Sequence, residues 1–210
     1  MSDRKLTKAE QERLDNFNQK TEELTSQGYK VIPLTVSAIK ANTVSLIYGL
    51  LLSLPFLIIF IFLNRDGKAF VSGDNYMKNY LLFMLVSFLS IIIHELLHGI
   101  TWSLFTKDGF KSIAFGVIWK TLNPYCNCRQ TLTFNQYFLG LIMPCVVLGI
   151  LPCIISLFNH NSWYLAFGVI MILSASGDLM IAKLLLSNKN KDALYLDHPT
   201  DIGLVCFEKQ

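Results

Sequence analysis

Charge is what this chain lacks. Asp, Glu, Lys and Arg make up only 16% of its 210 residues, where a soluble domain carries about 25%. A water-soluble fold of this size needs a charged surface, so the deficit argues against one. The net charge of +3 is small, and no basic footprint for DNA or RNA is present. The five cysteines are an odd number with no extracellular pair, so no disulfide framework is expected. No internal repeat or low-complexity segment occurs. No signal peptide is expected either, because residues 1–30 are polar and the first apolar run, from near Val44, is too long for one.

What the chain has is apolar length. Hydrophobic residues make up 52% of it, and the mean hydropathy is +0.44. Ala41 to Asn64 contains no charge, and about 20 apolar residues suffice for a transmembrane helix. Further spans are expected from about Tyr80 to Phe105, Tyr137 to Phe158 and Trp163 to Leu186. Pro55, Pro144 and Pro152 fall inside spans, where neighbouring helices can satisfy the freed backbone groups. The expectation is an all-α integral membrane protein with four transmembrane helices. Residues 1–42 form an N-terminal segment, 43–186 the membrane domain and 187–210 a tail. In the first segment, Thr7-Lys8-Ala9-Glu10 reads as a capping box and Gly28 as a stop signal. Leu14, Phe17 and Leu24 put a thin apolar stripe on that helix, which would rest on the membrane or on the protein.

Lys and Arg counts set the orientation. Seven precede the first span, four lie in the 106–136 loop and three in the tail, against three in the 64–79 loop. Both termini and the 106–136 loop are therefore expected in the cytoplasm of a multi-pass cell-membrane protein. Cys126 and Cys128 then lie where thiols stay reduced. They read as loop thiols, with half of a metal site as the alternative.

Ionisable residues within the spans are few: His94, Glu95 and His98 in the second, Asp178 and Lys183 in the fourth. Such residues are expensive in lipid, about 2.5–3.5 kcal/mol each on the insertion scale, and mark function by default. His94-Glu95-Leu96-Leu97-His98 is His-Glu-x-x-His on a helix. Histidines four apart stand one turn above each other and can converge on one ion. Glu95 points about 100° away from His94, so it can serve as general base toward a water on that ion. Catalytic zinc takes three protein ligands and a water. Asp178 is the best-placed third ligand, because it and His94 each lie about 14–15 residues, roughly 21–22 Å, from the outer end of their spans. Lys183 falls off that face and would snorkel to the interface. His160 and His198 read as surface histidines. Asp197 and His198 are the fallback ligands should Asp178 not serve, and a structural polar cluster without metal is the alternative to the ion.

The chain resembles a bacterial family of membrane proteins labelled zincin peptidases, related to intramembrane metalloproteases of the site-2 protease type. The resemblance rests on His94-Glu95-Leu96-Leu97-His98-Gly99, on Ser176-Gly177-Asp178-Leu179, and on Pro124-Tyr125-Cys126-Asn127-Cys128 leading to Tyr137-Phe138-Leu139-Gly140 and Pro144. It covers about residues 29–186. In site-2 proteases the third ligand is an Asp commonly followed by Gly, whereas Leu179 follows here. The resemblance implies a Zn²⁺-dependent endopeptidase acting on a membrane-protein or peptide substrate in the bilayer. It also implies an extended segment that holds substrate; Ser112 to Trp119 reads either as such a segment, in a short β-hairpin of the 106–136 loop, or as a buried re-entrant loop. The other function left open is a non-catalytic membrane metal-binding protein, either a divalent-cation carrier or an inactive protease relative.

Overall fold

The computed structural model describes residues 7–65, 67, 76–118 and 123–209. Part of the expected N-terminal segment, most of the 64–79 loop and Trp119 of the expected strand lie outside these residues. The chain opens with α1 (Lys8–Ser26). Its capping box is formed: the Thr7 hydroxyl accepts from the Glu10 amide, and the Glu10 carboxylate accepts from the Thr7 amide at 2.8 Å. Gly28, at φ +85°, makes the turn out of the helix.

Two uninterrupted apolar helices follow, α2 (Ala38–Leu63) and α3 (Tyr76–Ser103). The expected third span is α4 (Phe134–Pro144), one π turn over Cys145–Ile150, and α5 (Leu151–Asn159). The π turn sits between Pro144 and Pro152, where missing amides disturb the regular ladder. The expected fourth span is a bent pair, α6 (Ser162–Ser174) and α7 (Ser176–Ser187), turning by 50° at the buried Ala175. Three helices are thus long and apolar enough to cross a membrane, or four if the bent pair is one span. The bend puts Asp178 in the first turn of α7, where the partial positive charge of the helix end favours an acid.

The all-α expectation needs correction, because six strands lie among the described residues. The expected hairpin is present as β2 (Ile113–Ile118) paired antiparallel with β3 (Asn123–Cys128). The second sheet was not anticipated. It runs in the order β1-β6-β5-β4, from β1 (Tyr29–Val36), β6 (Ile202–Lys209), β5 (Leu194–Asp197) and β4 (Leu132–Thr133). The segments that flank the apolar helices therefore pair with each other, from Tyr29↔Lys209 to Val36↔Ile202. Gly203 permits the pairing: at φ +142°, a Cβ there would lie 2.2 Å from the Leu34 carbonyl oxygen. The stripe on α1 lies on the protein, with Leu24 buried against Leu196, Val205 and Phe207. Arg13 stacks over the ring of Tyr125 in the hairpin.

The core behind the site joins Trp102 of α3, Tyr137 and Leu141 of α4, Leu185 of α7 and Tyr195 and Cys206 of the sheet. By contrast, the outer faces of α2 and α3 stay bare, with Leu51, Phe62, Leu81 and Phe88 each at least 60% exposed.

Candidate metal centre

His94 and His98 stand one turn apart on α3, with 7% and 4% of their surfaces exposed. Asp178 reaches them from α7, across a gap of 84 residues in sequence. Its Oδ2 lies 3.0 Å from His94 Nε2, and its Oδ1 lies 3.5 Å from His98 Nε2. The two Nε2 atoms are 3.3 Å apart. The fold thus brings together the three residues expected as ligands.

The environment of His98 tests whether a cation fits. Its Nδ1–H donates to the Gly140 carbonyl at 2.8 Å. Its Nε2, on the far side of the ring, then faces the Nε2 of His94 and the Asp178 carboxylate. With the Nε2 protons of these rings given up, the three side chains would present converging donor atoms to a cation. Tetrahedral zinc with bonds of 2.0–2.2 Å separates its ligand atoms by about 3.3–3.6 Å, close to the 3.0, 3.3 and 3.5 Å found here. The donor set of two nitrogens and a carboxylate suits zinc and leaves a fourth position open, as catalytic sites do. His94 is less firmly held, because its Nδ1 is buried without a partner.

Close helix contact creates the His98 anchor. A Cβ on Gly140 would fall 2.1 Å from the Trp102 indole nitrogen, so only glycine lets α4 present its carbonyl there. Trp102 stacks on the His98 ring, centroids 5.2 Å apart and planes 17° from parallel. Its indole N–H donates to the Tyr137 carbonyl at 3.2 Å.

Glu95 is half-buried and outside the donor group. Its carboxylate lies near the backbone N–H of Cys126 in β3, the strand packed against α3. The hairpin reaches α3 because Gly99 leaves room: a Cβ there would meet the Phe115 ring at 2.5 Å.

The remaining sequence candidates lie elsewhere. His160 is exposed and pairs with Asn64 at 2.8 Å. His198 packs on Phe17, and its Nδ1 accepts from the Asp201 amide at 2.9 Å. Lys183 is exposed. Asp197 is not among the three donors; it accepts from the Tyr137 hydroxyl and from Asn127 Nδ2. Among the described residues, His94, His98 and Asp178 form the one group of three or more ligand side chains close enough to share an ion, so Cys126 and Cys128 belong to none. Burial pushes the Cys128 thiol up to about 12, and burial beside Asp197 and Glu95 raises Cys126 as well.

Those thiols should be sluggish. At pH 8 a thiol of ordinary pKa, about 8.5, is roughly a quarter thiolate, and one near 12 is about one part in ten thousand. Cys126 and Cys128 are expected to react with a small disulfide reagent at least a hundredfold more slowly in the native protein than in detergent-denatured protein. Equal rates would mean that the hairpin does not shield them. Sequence reasoning missed Gly140, Trp102, Tyr137 and the Cys126 amide, though the Tyr137-Phe138-Leu139-Gly140 stretch was part of the resemblance.

A family model described as Putative zincin peptidase matches residues 87–194, just over half of the chain. The chain belongs to this family. The matched region holds both histidines, Glu95, the hairpin and Asp178. No curated protein and no solved structure matches the chain. The family's description implies zinc, and the His-His-Asp group of this chain supplies a fitting donor set.

Proposed function

We propose that this zincin is a zinc-dependent endopeptidase embedded in the cell membrane, hydrolysing a peptide bond of a membrane protein at or near the inner face. The observation that carries this reading is the convergence of His94, His98 and Asp178 beside Glu95, inside a group of helices with bare apolar outer faces. In water, contiguous apolar surface on that scale would drive aggregation; lipid is the solvent that suits it. His94 lies 18 residues along α3 from Tyr76, or roughly 27 Å, so the chemistry belongs to the half of the span nearer the hairpin. The excess of Lys and Arg on the side of α1, the hairpin and the tail supports a cytoplasmic location for that face.

The roles divide as follows. His94 and His98 through Nε2, and Asp178 through its carboxylate, would hold the ion. When bound, zinc supplies Lewis acidity that polarises a scissile carbonyl and brings a bound water to a pKa of about 7. The Gly140 carbonyl fixes His98 in the tautomer whose Nε2 is free to ligate. Asp178 contributes the negative charge that offsets a dication. Glu95 takes the proton of the attacking water on its carboxylate and delivers it to the leaving amine nitrogen. The Cys126 amide lies near that carboxylate, on the hairpin that packs against α3.

The decisive experiment uses purified full-length protein in detergent. About one zinc per chain is expected. Cleavage of some member of a panel of co-expressed single-span proteins is also expected, stopping when a chelator strips the zinc and resuming when zinc returns. Absence of zinc would overturn the reading. Stoichiometric zinc without cleavage of any panel member would favour a non-catalytic metal binder.

A further inference from the structure

Behind the metal centre, one carboxylate joins three elements that otherwise touch the site separately. Asp197 ends β5, three residues beyond the region matched by the family. One side of it accepts from the hydroxyl of Tyr137, a residue of α4 with 1% of its surface exposed. Its Oδ2 accepts from Asn127 Nδ2 of β3 at 3.0 Å. Each partner leads to a different working residue. Tyr137 lies one turn before Gly140, whose carbonyl receives His98 Nδ1–H, and its own carbonyl receives the indole N–H of Trp102, which stacks on His98. Asn127 is the neighbour in β3 of Cys126, whose amide lies near Glu95, and β3 packs against α3, the helix that carries Glu95.

We propose that Asp197 is a positioning residue that locks both arms of the site at once, the α4 arm that orients His98 and the β3 arm that orients Glu95. The inference rests on the roles given above to His98 and Glu95. The physical basis is that Asp197 hydrogen-bonds to both α4 and β3, and a buried side-chain network fixes geometry when all its members are satisfied. Side chains that orient metal ligands from behind are worth 10–100-fold in affinity, and Asp197 acts one step further out. Its effect should therefore sit near the lower end, about tenfold.

The test uses full-length protein, with histidine ring ¹⁵N spectra of the metal-stripped form alongside zinc affinity and kinetics. In the parent, His98 is expected in the Nδ1–H tautomer. Asp197→Ala should mix the tautomers, weaken zinc by about tenfold and lower kcat by about tenfold, with KM changed less than twofold. Asp197→Asn should restore most of this, because its oxygen can still accept from Asn127 while its amide donates to a rotated Tyr137 hydroxyl. The arms should separate: Tyr137→Phe shifts the tautomer and zinc affinity, and Asn127→Ala lowers kcat with the tautomer unchanged. Should Asp197→Ala fail to fold, Tyr137→Phe, which removes one hydroxyl, decides the α4 arm and Asn127→Ala the β3 arm. Variants that melt earlier but keep the parental tautomer, affinity and kcat would overturn the proposal, leaving Asp197 a purely structural residue. A parent that binds no zinc and cuts nothing overturns the proposed function instead. The tautomer spectra then still decide whether Asp197 orients His98.

Discussion

Glu95→Gln is expected to abolish cleavage while the zinc stays bound. The side chains are nearly the same size, and the glutamine keeps an oxygen where the carboxylate now lies near the Cys126 amide. What disappears is the ability to take a proton from water. General-base catalysis contributes about 10²–10⁴-fold, so the residual rate should fall at least a hundredfold. Metal content should match the parent, because Glu95 lies outside the donor group. A variant that keeps cutting at the parental rate would remove Glu95 from the mechanism. One that loses zinc together with its fold would make the residue structural.

Loss of metal is the expected result of His98→Ala and Asp178→Asn, and the pair is more informative than either alone. His98→Ala removes a ligand, leaves the Gly140 carbonyl without its donor and strips the face of Trp102. Zinc affinity should fall more than about a hundredfold, and some stability should go with it. Asp178→Asn disturbs packing much less. It replaces a charged oxygen ligand by a neutral amide, a poorer ligand for zinc, and removes the anion that the two histidines face at 3.0 and 3.5 Å. Competition against a fluorescent chelator measures both. If Asp178→Asn holds zinc as tightly as the parent, the third ligand lies elsewhere, and the position of Asp178 at the start of α7 becomes a matter of helix capping.

The helices were legible because lipid-length apolar runs need no partner to be recognised. The three ligand candidates were legible for a related reason. In a segment such as Ile91 to Trp102, every ionisable side chain stands out against its neighbours, and the i, i+4 spacing of His94 and His98 dictates their convergence. Asp178 could be matched to them by counting residues, although the 50° bend at Ala175 was invisible to that count. Ala175 and Ser176 carry no proline or charge to announce a break. The four-stranded sheet was hidden for a different reason. β1 finds its partner in β6, with the apolar helices lying between them in sequence, so β1 shows no local hairpin signal. The supports of the site were illegible because they are largely backbone. The Gly140 carbonyl and the Cys126 amide belong to no residue type, and only the glycine that admits Trp102 hints at the first.

The pairing of β1 with β6 also sets an order of events. A ribosome delivers Tyr29–Val36 early and Ile202–Lys209 only after all of the apolar helices. Until then β1 is an open edge, with amides and carbonyls that water or a stray strand must satisfy. Closing so long a loop is slow compared with forming a helix. β5 pairs with β6, so Asp197 takes its place behind His98 only once the last strand has arrived. The nascent chain therefore carries its histidines for some time before the framework that aims them exists, and the candidate metal centre is completed only after β6 has been made.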